Sequence, residues 1–182
     1  MEVLEVIKNR RSIRQQKTDL IDDETIQKIL EAARWAPSWA NSQCWLFIVI
    51  RDSGIKSELA NTLRNGNPAT DATRNSPIVI VACAEMGKAG CRDGTPVTDK
   101  GVYWYMFDVA LAMQNLVLAA HALGVGTVII GAFDAKRTAE ILGVPEGFCV
   151  VAMTPLGFLA QEGRTPHRKD LSEIVFHDKY SA

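Results

Sequence analysis

One long apolar stretch, from Val102 to Leu123, limits what this chain can fold into more than any other feature. Its apolar side chains recur at helical spacing, at Val102, Met106, Val109, Ala110, Met113, Leu116, Val117 and Ala120. A helix that is apolar around most of its circumference has to be covered, so the stretch predicts a helix in the core or at a subunit interface. The apolar run continues to Phe133, but polar residues and glycines interrupt it, at His121, Gly124, Gly126, Thr127 and Gly131. These interruptions favour a helix end, a turn and a strand of a soluble protein over a membrane span.

The segments around this helix alternate irregularly between helical and strand patterns. Helices are predicted over 1–8, over 102–123, and after three capping residues, Asp22, Asp52 and Asp134. Strands are predicted in "CWLFIVIR", "IVIVACAE", "GTVIIG" and "FCVVAMTPLGFLA", and the tail over 171–176 can form one more. The polar tract "NGNPATDATRNSP" is predicted to be a loop. This order indicates one α+β domain over 1–182, with helices around a mixed sheet.

The net charge, the cysteine spacing and the N-terminal sequence exclude several classes of function. Its 182 residues carry a formal net charge of −1, whereas a general polyanion binder usually has a broad basic surplus, so no nucleic acid is expected as a partner. The four cysteines are widely spaced, with no C-x-x-C pair and no histidine at ligand spacing. This spacing predicts reduced thiols in a cytoplasmic protein, and no metal site. The N-terminus lacks the apolar core of a signal peptide, and no membrane association is expected.

The segment "KNRRSIRQQK", residues 8–17, places five positive charges in ten residues and therefore predicts a nearby anion. Arg10, Arg11 and Arg14 offer guanidinium groups suited to phosphate oxygens, and Ser12 adds a hydroxyl. The anion can be a nucleic acid, a membrane surface, the chain's own carboxylates or a small phosphorylated ligand. Alternatively, the basic segment has no binding function and is a solvated surface whose charges are balanced by the acidic residues over 19–24.

The segment "APSWANSQCW", residues 36–45, crowds polar side chains between a predicted helix end and a buried strand, at Ser38, Asn41, Ser42 and Gln43. Amides both donate and accept hydrogen bonds, as the edge of a heterocycle with alternating N–H and C=O groups requires. Trp39 and Trp45 can supply apolar walls for such a pocket. The alternative is an ordinary loop from helix to strand.

The segment "GVGTVIIG", residues 124–131, matches neither of two familiar nucleotide motifs. Ile129 stands where G-x-G-x-x-G needs its third glycine, and Ala132 and Phe133 stand where a phosphate loop needs Lys and then Ser or Thr. Gly131 remains, at the end of the predicted strand, as a place where an exposed backbone N–H can approach a ligand closely.

Together these segments resemble the nitroreductase family of FMN-dependent oxidoreductases. The matching pieces follow the family order over nearly the whole chain: "RRSIR", "APSWANSQ-W", "DVALAMQNLVLAAHALGVGT", "GAF" with "ILGVPEG", "PLGF" and "GRTPHRKDLSEIV". The resemblance implies a mixed, mainly antiparallel sheet surrounded by helices. It also implies an intertwined homodimer with two flavins at the subunit interface.

The resemblance further implies which residues bind the cofactor. The FMN phosphate and one edge of the flavin ring would be held by Arg10, Arg11, Ser12 and Arg14, and Arg168 would complete the phosphate clamp. A second set would come from the other subunit: Pro37, Ser38, Trp39 and Asn41, with Gln43 in the same motif. The reactive edge of the ring would lie beside Ile129, Ile130 and Gly131, with a backbone N–H directed at flavin N5. Asn67 matches a flavin-contacting Asn of the family.

Three residues depart from the family pattern. Cys44 stands where Pro is common, which implies a less rigid loop and an oxidisable thiol. Ile130 stands where some members have Glu, which removes a side-chain contact. Pro166 stands where Lys is common, which leaves the phosphate more dependent on Arg168 and the N-terminal arginines. The chain is also short for the family, which implies a reduced lid over the flavin.

The implied activity is the transfer of electrons from NADH or NADPH to nitroaromatics, quinones or similar small, planar, electron-poor acceptors. FMN would carry the hydride in a ping-pong mechanism, so no side chain has to act as a nucleophile. His121, inside the apolar helix, is expected to be a hydrogen-bonded core residue. One alternative is a related flavin enzyme with specialised chemistry, such as dehalogenation or enone reduction, or with a donor other than NAD(P)H. The other is a non-enzymatic nucleic-acid binder, whose affinity would fall steeply with salt.

Overall fold

The computed structural model describes residues 2–180 of the chain. Its α-helices are α1 Val3–Asn9, α2 Asp23–Arg34, α3 Ser53–Thr62, α4 Thr70–Asn75, α5 Trp104–Ala122 and α6 Ala135–Leu142. Its strands are β1 Trp45–Ile50, β2 Ile78–Glu85, β3 Cys91–Arg92, β4 Thr95–Pro96, β5 Val125–Thr127 and β6 Phe148–Phe158. Short 3-10 turns lie at Trp39–Asn41, Gly101–Tyr103 and Leu171–Glu173.

Four of the strands form one sheet in the order β1-β2-β6-β5, and each neighbouring pair in it is antiparallel. The N-terminal segment adds a single parallel bridge, from Ser12 to Thr127 of β5. Strands β3 and β4 form a separate hairpin between β2 and α5. The prediction of an α+β fold with a mainly antiparallel sheet and flanking helices is confirmed.

Strand β2 is buried on both faces, because its alternate side chains enter two different cores. Ile78 and Ile80 pack with α2 and α5 on one face of the sheet. Val79 and Val81 pack on the other face with α3 and α6. A continuous run of apolar, β-branched residues is typical of a strand covered on both sides, which is why the sequence predicted β2 so well.

Helix α5 is the core helix that the apolar stretch predicted. Its inner face is buried against α2 and the sheet, through Val109, Met113, Leu116 and Val117. By length and composition the helix is apolar enough to cross a membrane, a test that the core helix of a globular domain also passes. Large apolar side chains at its N-terminal end remain exposed: Val102, Tyr103, Met106 and Phe107.

The three predicted helix caps are confirmed. Each Asp side chain accepts a hydrogen bond from the backbone N–H three residues later, at Thr25, Ile55 and Arg137 respectively. Such a bond satisfies one of the N–H groups that have no partner within the first helical turn.

Three local predictions are wrong. The strand predicted over 126–131 ends at Thr127, and Ile130 forms an isolated bridge to Met153 instead of continuing it. The tract "NGNPATDATRNSP" contains the short helix α4, because Ala72 and Thr73 are buried against its neighbours and hold the turn in helical form. The tail over 171–176 forms a 3-10 turn instead of a strand. The Asp170 N–H donates to the Glu173 carboxylate at 2.8 Å, and no strand within residues 2–180 pairs with this tail.

Candidate functional site

The N-terminal arginines meet a C-terminal arginine in the folded chain. Arg10 ends α1, where its N–H donates to the Val6 carbonyl, and its side chain is half-buried. Burial lowers the pKa of the Arg10 guanidinium, and the charges of Arg11 and Arg168 lower that pKa further. Segments more than 150 residues apart in sequence therefore bring like charges close enough to influence one another, as the predicted phosphate clamp requires.

Arg11 joins the two segments of this arginine cluster (Arg10, Arg11, Arg168). Its Nη1 donates to the carbonyls of Lys8, at 2.6 Å, and of Arg10, at 2.8 Å. Its Nε donates to Thr165 Oγ1 at 3.2 Å. Gly163 packs so closely on Arg11 that a Cβ there would collide with the arginine side chain. None of the salt bridges within residues 2–180 involves an arginine of the cluster, so all three lack a carboxylate partner there.

Ser12 connects the arginine cluster to the edge strand. It forms the parallel bridge to Thr127, and the next residue, Ile13, donates its N–H to the Thr127 carbonyl at 2.8 Å. The segment over 129–131 follows directly. Ile130 exchanges two backbone hydrogen bonds with Met153, at 2.8 and 3.1 Å, and its side chain is buried in the core that contains α3 and α6. The Ile129 side chain and the Gly131 backbone are the exposed parts of this segment.

Asn67 holds a loop alongside Gly131. Its Oδ1 accepts from the Ala69 N–H at 3.0 Å, and its Nδ2 lies 3.4 Å from the Ala132 carbonyl. The Arg64 N–H donates to the same carbonyl at 3.1 Å. The structure thus brings Asn67 close to Gly131, the residue that the sequence singled out.

A groove of about 530 Å³ opens beside Ser12 and Arg14. The groove is also lined by Pro68, next to Asn67, by Asp71 and by residues 161–164. Arg164 lines this groove and is a residue that the sequence reasoning missed. Its place in "GRTPHRKD", four residues before Arg168, was the available signal.

The second predicted set of residues lies in a tightly wound loop over 37–43. Non-glycine residues in this loop have a positive φ: 43° at Ala40, 55° at Asn41 and 45° at Gln43. The Gln43 N–H donates to Ser38 Oγ at 3.0 Å, and the Trp39 ring meets Trp104 edge to face at a centroid distance of 4.9 Å. Pro37, Asn41 and Gln43 are exposed, so the structure leaves them free to contact a ligand.

Asp108 of α5 anchors this loop, and the sequence reasoning missed it. Its carboxylate Oδ2 accepts from the Trp39 N–H at 3.0 Å and from Ser42 Oγ at 3.2 Å, and it lies 3.9 Å from Cys44 Sγ. Burial, and then the charge of Asp108, raise the pKa of Cys44 to about 11. The burial of Cys44 and the raised pKa of its thiol both argue against the expectation of an oxidisable thiol, because oxidation requires exposure and thiolate character. A single carboxylate within an apolar helix was the signal for Asp108.

The two sets of predicted residues do not meet within one chain. Trp39 packs on Trp104 at the start of α5, whereas His121 in its last turn is close enough to Arg10 and Arg11 for their charges to lower its pKa. Trp104 and His121 are about 25 Å apart along a helix with a rise of 1.5 Å per residue. The loop leads into β1 and Ser12 pairs with β5, and these strands are opposite edges of the sheet.

His121 differs from its prediction as a hydrogen-bonded core residue. It is half-buried, and within residues 2–180 no hydrogen bond reaches its ring. Burial is the largest cause of its lowered pKa, followed by Arg10 and Arg11.

The sequence profile of the Nitroreductase family matches residues 7–158. This chain belongs to the nitroreductase family. It is 35% identical over 166 residues to the "Putative NADH dehydrogenase/NAD(P)H nitroreductase" of Archaeoglobus fulgidus, across 88% of this chain and 87% of that protein. The family assignment and these relatives make the chain an oxidoreductase.

Solved structures of nitroreductase-family proteins share the fold. A family member from Clostridium novyi superimposes with a TM-score of 0.79 at 38% identity, across 87% of this chain and 86% of the other. The NADPH:FMN oxidoreductase of Vibrio harveyi, complexed with NAD+, superimposes with a TM-score of 0.85 at 27% identity, across 99% and 78%. The profile ends at Phe158 and does not cover Arg168. The proximity of Arg168 to Arg10 is a feature of the folded structure of this nitroreductase-family chain.

Proposed function

We propose that this chain is an FMN-dependent NAD(P)H oxidoreductase that reduces nitroaromatics, quinones or similar planar, electron-poor acceptors. The observation that carries the proposal is the arginine cluster. Its guanidinium groups come from both ends of the chain and have no carboxylate partner among the described residues. A dianionic phosphate removes the repulsion between such groups and accepts their hydrogen bonds. The names of the Archaeoglobus and Vibrio proteins support the same assignment.

The surroundings of the cluster fit the rest of FMN. Ser12 and Arg14 border the groove of about 530 Å³, with polar groups suited to the ribityl chain and the polar edge of the ring. A Cβ at Gly131 would meet no atom within 4 Å, so open space lies over this backbone. The Gly131 N–H has no acceptor within residues 2–180 and is available to a ring that approaches this backbone.

Each part of the chain then has a separate task. FMN, when bound, supplies the two-electron chemistry between NADH or NADPH and the acceptor. The arginine cluster would hold the phosphate, and Arg14, which lines the groove, would supply positive charge that stabilises a reduced, negatively charged flavin. Asn67 contacts the Ala132 carbonyl and so places an amide side chain close to Gly131. No side chain has to act as a nucleophile, which agrees with the burial of Cys44 and the raised pKa of its thiol.

The proposal includes a homodimer. The loop over 37–43 and the arginine cluster lie near opposite ends of α5 in one chain, so a second copy is needed to bring the two predicted sets to one flavin. Exposed apolar side chains at the start of α5 and in the C-terminal tail offer surface for that copy: Val102, Tyr103, Met106, Phe107, Leu171, Ile174 and Phe176. Free thiols at all four cysteines support a reducing, cytoplasmic setting.

The test is a visible absorption spectrum of the purified protein, followed by anaerobic addition of NADH and then of NADPH. A flavin spectrum that bleaches with a nucleotide is the expected result, and it identifies the preferred donor. A flavin that responds to neither nucleotide would support the alternative with another donor. Protein that stays colourless and takes up no added FMN would refute the proposed function.

A further inference from the structure

Asp108 is a fully buried carboxylate that no part of the proposed chemistry uses. It lies on the inner side of α5 with 0% of its surface exposed. One oxygen, Oδ2, receives every donor that reaches the group: Trp39 N–H, Ser42 Oγ–H and Cys44 Sγ–H. The other oxygen, Oδ1, has no donor within residues 2–180. A buried charge is unfavourable unless donors surround it, so the loop and the carboxylate stabilise each other.

The loop over 37–43 needs such an anchor. Ala40, Asn41 and Gln43 all adopt the left-handed region, which is unfavourable for residues with a Cβ. Residues in this region persist when the surrounding structure holds them there. Inside the loop, Ser38 accepts the Gln43 N–H. The bonds that tie the loop to a helix converge on Asp108.

We propose that Asp108 is a positioning residue, which fixes the loop in the conformation that contacts the cofactor. This inference rests on the proposed function, because the contact in question is the one between the loop and FMN. The Trp39 backbone N–H and the Ser42 hydroxyl, on either side of Ala40 and Asn41, are held at one point, so the exposed Asn41 between them is presented in a single conformation.

The same geometry assigns a task to Cys44. Its thiol donates to Asp108 and is kept protonated by burial and by that charge. Cys44 is thus a third anchor at the point where the loop enters β1. The loop can therefore be rigid although Cys44 stands where Pro is common in the family.

The test compares Asp108→Asn with Asp52→Asn as a matched control. Asn has the shape of Asp but offers only neutral hydrogen bonds, which are weaker than charge-assisted ones. Asp52 also accepts a backbone N–H, from Ile55 at 2.8 Å, but it caps α3 away from the loop. The measurements on each full-length protein are the FMN dissociation constant, hydrogen exchange at the Trp39 amide, and the near-UV circular dichroism of the Trp39–Trp104 pair.

For Asp108→Asn we expect the dissociation constant to rise about tenfold, the factor that corresponds to one such bond. The Trp39 amide should exchange faster and the near-UV signal of the tryptophan pair should weaken, while Asp52→Asn changes none of the three. Ser42→Ala, which keeps the carboxylate and loses one donor, should give a smaller rise of the dissociation constant, of roughly threefold.

A folded Asp108→Asn protein that binds FMN within twofold of wild type would overturn the proposal, since Asp108 would then serve stability alone. If Asp108→Asn does not fold, Ser42→Ala and Cys44→Ala decide: FMN binding unchanged in both overturns it. If wild type itself binds no FMN, the proposed function fails separately. Exchange at the Trp39 amide then still decides whether Asp108 fixes the loop, and equal rates in wild type and Asp108→Asn reject it.

Discussion

Replacing Arg168 with Ala should affect the empty and the FMN-bound protein in opposite ways. In the empty protein the positive charge of Arg168 repels Arg10, which is one cause of the lowered pKa of Arg10. Arg168 is exposed and forms no salt bridge among the described residues, so its removal breaks no ion pair. The melting temperature without FMN should therefore stay the same or rise slightly, within the roughly 0.5 kcal/mol that surface substitutions usually change.

The affinity for FMN should fall in the same variant. A hydrogen bond to a charged group contributes about 1.5–3 kcal/mol when it forms in a protected place. Because Arg168 is exposed, water and salt screen its contact, and we expect the lower end of that range. This free energy corresponds to a dissociation constant roughly ten times larger.

Flavin fluorescence quenching during titration with the protein measures this affinity, at low and at high salt. Arg51→Ala is the control, because Arg51 carries the same charge but pairs with Asp23 away from the cluster. The affinity of Arg168→Ala should depend less on salt than that of wild type or of Arg51→Ala. An affinity within twofold of wild type, or a clear drop of melting temperature in the empty protein, would refute the reasoning.

Two further outcomes concern the surroundings of the cluster. The pKa of His121 in the folded chain lies below its ordinary value of 6.5. As the pH falls, His121 is therefore protonated in the unfolded chain before it is protonated in the folded chain. The free energy of unfolding without FMN should decrease as the pH falls through about 6.5, and urea titrations should show that His121→Gln removes part of this decrease. Gly163→Ala should lower the free energy of unfolding by about 1–3 kcal/mol, because its Cβ would collide with Arg11. A Gly163→Ala protein as stable as wild type in thermal unfolding would contradict the packing.

Features that depend on neighbouring residues in sequence were predictable. The helix caps at Asp22, Asp52 and Asp134 need a side chain and an N–H three residues away, and all three are present. The predicted strand "IVIVACAE" matches β2 from its first residue to its last, because burial on both faces leaves no polar interruption. The spacing of apolar residues along α5 likewise reflects a local repeat.

Features that depend on distant contacts were not predictable from the residues alone. The helical form of the tract around Ala72 depends on burial that its own sequence does not encode. The 171–176 tail has a strand-like composition but no strand to pair with among the described residues. Asp108 looked like an isolated polar residue, since its donors come from a loop more than 60 residues earlier. The family resemblance implied that Arg168 lies close to the N-terminal arginines, but nothing in the local sequence of either segment encodes that proximity.

The length of α5 has a consequence for how this protein can evolve. In the proposed dimer each flavin would depend on the arginine end of one chain and on the loop end of the other. If the gene were duplicated, one copy could lose its arginines and the other its loop without abolishing activity, because a mixed pair would still contain one complete site. In that dimer, the separation of about 25 Å between the two ends of the helix would leave each half of the site free to diverge by itself.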